Sequence, residues 1–173
     1  VSALRRAGVN AVGMNGRTAG SVQARKMPGL GLVGRPERAR TDFLKSLTGN
    51  RYVPVFSPIA SDGKGGALNI NADDFASFLA VNLKAGRLVY FTDVPGILDG
   101  KSQTISGISP KSAGGLIRSG VVTGGMVPKL QSAVLALKKG VKEIWILQGK
   151  LPLNSARGTV ISNTPKHAKQ PFK

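Results

Sequence analysis

The most constraining feature of this chain is an alternation between two hydrophobic periods. Stretches with apolar residues at helical spacing take turns with short, continuous apolar runs. The clearest case starts at Met126, where Met126, Leu130, Ala133, Val134 and Leu137 recur every three to four residues and Gly140 ends the stretch. EIWIL (143–147) follows, too short for a helix and apolar enough for a buried strand. The pair occurs earlier as well. Phe75, Ala76, Leu79, Ala80 and Leu83 form a stripe on a helix that begins at Asn71 or Asp73 and is closed by Gly86; RLVYFT (87–92) is the strand after it. Strands alternating with helices predict an α/β fold, a three-layer sandwich whose mainly parallel sheet is covered on both faces.

The remaining elements fit that scheme. NAVGM (10–14), YVPVF (52–56) and GTVIS (158–162) read as strands, with Pro54 placed where no ladder hydrogen bond is needed. Leu4–Ala7 is the tail of a helix closed by Gly8, and SVQARK is an arm of a hairpin. Thr41 is expected to cap a short helix, DFLKSL, that stops at Gly49, and SDGKGG turns the chain. Ser109-Pro110 is an N-cap with proline at the first helical position, and Gly120 lies beyond that helix's end. With no internal repeat and no linker, one domain is expected over 1–162, followed by a separable basic tail at 163–173.

The 173 residues, 41% hydrophobic, are enough to bury a core. No run of eighteen apolar residues could span a membrane, so no membrane partner is expected. The opening VSALRR has neither an initiator Met nor a secretory leader, and reads as a processed chain or a fragment. The absence of cysteine rules out disulfides and thiolate chemistry and is compatible with the cytoplasm or an organelle matrix.

Charge is the anomaly. Twenty-five Lys and Arg against eight Asp and Glu give +17 and a pI near 11.1. From Lys101 onward the only acid is Glu143. Ordinary surfaces mix both signs, so this depletion favours an anionic partner, RNA ahead of an anionic metabolite.

Three segments could carry chemistry. Gly124-Gly125 precede a helix whose start offers partial positive charge and unpaired N–H groups, and Lys129 lies one turn in; a phosphate would suit that place. The plain alternative is a turn followed by a solvated lysine. Asn69 and Asn71 come just before a helix with Asp73 and Asp74 in its first turn, where carboxylates also serve as simple helix-start residues. TDVPGILDG (92–100) leaves the end of a strand, the place where parallel sheets bind ligands.

In this order, NAVGMNG, YVPVFSPIA, LNINADDFA, TDVPGILDG and SGVVTGGMVPKLQSAVLALKKGV resemble the amino-acid kinase family, most closely its acetylglutamate kinases. The likeness covers nearly all of Val1 to Ile161. It implies transfer of the γ-phosphoryl group of ATP, with Mg²⁺, to a carboxylate. By this resemblance Asn69 holds the acylated amino acid, Asp73 organises lysines, and Lys129 neutralises charge on the moving phosphoryl group. Asp93, Val94, Pro95, Gly96, Ile97 and Leu98, with Val121, Val122 and Thr123, line the nucleotide pocket. No residue is expected to form a metal site of its own.

The family's first strand, its Lys-x-Gly-Gly motif and a second glycine-rich loop have no counterpart here. The isolated chain is therefore expected to be nearly inactive. Either another chain supplies that half, or the domain serves as a non-catalytic, RNA-binding subunit of a ribonucleoprotein such as an organellar ribosome. Three further features carry nothing. GLGLVG (29–34) fits G-x-G-x-x-G but follows Met27-Pro28 and meets Pro36 where a helix should start. His167 stands alone, and Trp145 belongs to a core strand.

Overall fold

The computed structural model describes residues 1–150 and 158–164. Each element expected from the two periods is present there. By their contacts the residues divide into two compact units, Val1–Leu83 and the part from Lys84 onward.

In the first unit, α1 (Ser2–Arg6) leads into β1 (Ala11–Asn15), which pairs in parallel with β4 (Val53–Ser57). Val53 donates its N–H to Asn10 O at 2.8 Å. Alternate amides point to the same side, so Pro54 faces the opposite edge, where its missing N–H costs no bond. A second sheet runs in the order β3 (Gly34–Ala39), β2 (Val22–Lys26), β5 (Ile59–Ser61), β6 (Ala67–Asn69). β2 and β3 form the antiparallel hairpin of which SVQARK is one arm, with a bulge between Gln23 and Ala24. GLGLVG is the tip of this hairpin; its last glycine opens β3 and no helix follows.

Val22, Ala24, Ala60, Leu68, Ile70 and Phe75 form the core beneath the second sheet, with Phe56, Phe78 and Leu79 packed against it. The Phe56 and Phe75 rings stand 5.6 Å apart, tilted. Each large side chain buried there contributes ~1.5–3 kcal/mol relative to exposure.

Two helix boundaries differ from expectation. α2 (Thr41–Gly49) takes Arg40 as its N-cap with no side-chain cap bond, so Thr41 is the first helical residue and not the cap. α3 (Ala72–Asn82) stops before Gly86 because Lys84 itself takes the left-handed turn, at φ 54°. Its start is well defined: Asn71 Oδ1 accepts from Asp73 N at 3.0 Å and Asp74 N at 3.1 Å. Asn71→Ala leaves both amides without that acceptor and should cost ~1 kcal/mol in urea unfolding; a loss below ~0.3 kcal/mol would mean the cap contributes nothing.

In the second unit the sheet order is β7 (Arg87–Thr92), β9 (Glu143–Gln148), β10 (Gly158–Ser162), β8 (Gly107–Ile108). β7 and β9 are parallel, as are β8 and β10, but β10 runs antiparallel to β9. The chain between them, 149–157, is shorter than the dozen residues a parallel crossover needs. The α/β class therefore holds, with parallel and mixed sheets. α4 (Pro110–Arg118) begins as expected, Ser109 Oγ accepting from Ser112 N at 3.1 Å. α5 (Met126–Lys138) buries Leu130, Ala133, Ala136 and Leu137, while Ile144, Ile146 and Leu147 of β9 are fully buried.

Trp145 is core, packed with Leu147, Val160 and Val89. Its indole N–H donates to Glu143 Oε2 at 3.3 Å, and Arg87 bonds the same oxygen at 3.2 Å from across the strand pair. Among the described residues no helix is long and apolar enough to cross a membrane. Nearly all of the expected basic tail, His167 included, lies outside the described residues.

Candidate functional site

Strand β7 delivers the first part of the site. It ends at Thr92, whose hydroxyl donates to Asp93 Oδ1 at 3.0 Å and whose carbonyl accepts from Gly149 N at 2.8 Å. The Asp93 carbonyl accepts from Gln148 Nε2 at 3.4 Å, so the loop is tied to the end of the neighbouring parallel strand. Asp93 and Pro95 are exposed, Val94 and Leu98 half-buried, Gly96 and Ile97 buried.

Gly96 turns the chain at φ +143°, where any residue that carries a Cβ is strained. A Cβ there would meet Thr159 Oγ1 at 2.8 Å and Thr159 N at 3.1 Å. That closeness lets Ile97 N donate to the fully buried Thr159 hydroxyl at 2.8 Å. Past this anchor the loop folds back on itself: Ile105 N bonds Ile97 O, and Asp99 Oδ1 accepts from Lys101 N and Gln103 N.

The second part is the approach to α5. Val122 is buried and its N–H bonds Leu116 O at 3.1 Å, while Val121 and Thr123 stay exposed. Gly124 then takes φ 56°, and Gly125 is an N-cap with no side-chain cap bond. The start of α5 offers fewer open donors than its sequence suggested. Met126 N and Val127 N already reach Thr123 O and Gly124 O at 3.3 and 3.2 Å, and Pro128 has no N–H. Positive charge therefore falls chiefly to the helix dipole, with no acid in the first turn to oppose it, and to Lys129.

Lys129 is half-buried, not a solvated surface lysine. Its Nζ lies 4.7 Å from the centre of the Tyr90 ring, itself 4% exposed. A cation over a buried ring gains ~0.5–2 kcal/mol and is fixed in place. Tyr90 is on β7, so the ammonium is held beside the strand whose end carries Asp93. Sequence reasoning missed Tyr90 and Thr159; each acts through a partner far along the chain, and neither stands out in its own strand.

The other two site residues belong to the first unit. Asn69 ends β6 with its side chain exposed and its N–H bonded to Leu32 O at 2.8 Å. Asp73 is half-buried in the first turn of α3. Among the described residues no three His, Cys, Asp or Glu gather as a metal cage. A magnesium ion carried on nucleotide phosphates keeps several waters and does not need one.

Residues 1–148 match the model of the amino acid kinase family. An acetylglutamate kinase of Endomicrobium trichonymphae is 39% identical over 89% of this chain and 62% of its own length. One from Bradyrhizobium diazoefficiens is 40% identical over 87% and 56%. The chain thus spans about three-fifths of these relatives. Among solved structures, a Streptococcus mutans UA159 protein superposes with a TM-score of 0.85 at 29% identity, covering 94% of this chain and 65% of that one. The N-acetylglutamate synthase of Neisseria gonorrhoeae gives 0.82 at 24% identity, over 97% and 40%, a likeness of fold alone. The family match, nearly the length of the described chain, agrees with the α/β fold and the order of the motifs: the chain belongs to the amino acid kinase family.

Proposed function

We propose that this chain is the nucleotide-binding part of an acetylglutamate kinase-like phosphotransferase. The observation that carries this reading is Lys129, held over buried Tyr90 beside the end of β7, one turn into a helix that opens on glycines. A phosphoryl group there would meet a fixed cation and a helix dipole of the same sign. Bound ATP, with Mg²⁺, supplies the transferable group. Val121, Val122 and Thr123, with Asp93 to Leu98, form the walls that receive the nucleotide. Lys129 offsets negative charge as it builds up during transfer, and needs no proton movement to do so. In the first unit, Asn69 has an amide suited to orienting a carboxylate-bearing acyl amino acid, and Asp73 a carboxylate suited to pairing with lysines.

The 173-residue polypeptide spans only part of the relatives' length, and we expect its own turnover to be low for want of the remaining phosphate-holding groups. Nucleotide binding is the activity it should retain. Calorimetric titration with ATP should show one saturable, Mg²⁺-dependent site, weakened about tenfold or more in Lys129→Ala. A wild-type chain without a saturable site, or a variant with unchanged affinity, would remove this reading.

A further inference from the structure

Lys129 accounts for only one of the positive charges behind the net +17, and the structure gathers a further share on one element. The β2–β3 hairpin buries Val22 and Ala24 on one side and exposes Arg25, Arg35 and Arg38 on the other, while Lys26, exposed near the tip, shares the side of Val22 and Ala24. Arg25 and Arg35 stand directly opposite each other across the strand pair. Like charges in that position destabilise a hairpin. Glu37 relieves Arg25 through an ion pair at 2.7 Å, but no side-chain hydrogen bond or ion pair among the described residues engages Lys26, Arg35 or Arg38. Nearby, Arg40 is only partly neutralised by exposed Asp42, at 3.4 Å.

A folded hairpin that keeps Arg35 and Arg38 uncompensated, the first of them directly opposite Arg25, is fit for an external polyanion. We infer that the exposed face of β2–β3 binds a polynucleotide through its phosphate backbone, independently of the nucleotide site. Arginine outnumbers lysine on this element, and a planar guanidinium grips a phosphate with two parallel N–H donors. The charge is carried by a rigid antiparallel pair whose other side is core, so its spacing is fixed before binding. The twisted ribbon presents a row of side chains to a groove or strand, and backbone contacts of this kind set affinity without reading bases. The hairpin tip also exposes Leu30 and Leu32, which would suit an anionic lipid surface, and the test separates the two.

The test is fluorescence anisotropy of a labelled 20-nucleotide RNA with the 173-residue chain between 50 and 200 mM salt. Arg35→Gln/Arg38→Gln should weaken binding about tenfold or more at 100 mM and flatten the logarithmic salt slope by ~1.4, the share of two phosphates on a single strand. Lys138→Gln/Lys139→Gln removes the same charge from exposed positions at the C-terminal end of α5 and should change affinity less than about threefold. Single-stranded DNA of the same sequence should bind about as well as the RNA. Equal losses in the two variants would reduce the effect to diffuse charge and overturn the inference. So would a more than tenfold preference between RNA and DNA, or loss of binding to phosphatidylserine vesicles with RNA affinity unchanged.

Discussion

Gly96→Ala is expected to destabilise the second unit by ~2–4 kcal/mol. Two costs combine at this position. The residue must hold φ +143°, which carries a penalty of ~1–3 kcal/mol for a side chain. The added methyl also presses on the Thr159 backbone nitrogen, which lies in a sheet and cannot retreat as a side-chain tip could. Thr159 also holds Ile97 N, so displacing it unfastens the loop from Asp93 to Leu98. The protein's one tryptophan, Trp145, sits in β9 of this unit, so its fluorescence in urea reports the change directly. Gly100→Ala is the control, having no positive φ and no atom within 4 Å of the added carbon. It should stay within ~0.5 kcal/mol of the parent. A Gly96→Ala loss below ~1 kcal/mol would show that this loop is not built around the missing side chain.

The second large effect concerns rate. With ATP, Mg²⁺ and N-acetylglutamate, the 173-residue polypeptide should turn over at least ~1000-fold more slowly than the Endomicrobium trichonymphae relative, of which it spans 62%. Phosphoryl transfer depends on positioning and on charge set in advance, and removing a single preorganised donor from such a site typically costs ~2.7–4 kcal/mol. A deficit of ~4 kcal/mol already accounts for ~1000-fold. A spectrophotometric coupled assay of both proteins side by side decides the matter. Turnover within tenfold of the relative would mean that these residues hold a complete catalytic set.

Much of the fold was legible because its long elements carry strong periods. The stripes of α3 and α5 and the runs RLVYFT and EIWIL are found where the sequence put them. What escaped has physical reasons. β5 and β6 have three residues each and β8 two, too few to express any period. β3 carries no strand signal of its own because GRPERA combines a proline with charges, and only pairing with β2 makes it a strand. The direction of β10 depends on the length of its connection to β9, not on its own residues. The site divides in the same way. Glycines at the turn before α5 and the loop after β7 are local signals. Lys129 over Tyr90 and Ile97 on Thr159 are long-range contacts that only the folded chain reveals.

That this chain carries the nucleotide side of a kinase is tested most directly by photolabelling with 8-azido-ATP and mapping the modified peptides by mass spectrometry. Label should fall within residues 93–98 and 121–123, require Mg²⁺, and be displaced by unlabelled ATP. Label spread over the basic surface, or confined to the β2–β3 hairpin and indifferent to competing ATP, would contradict it.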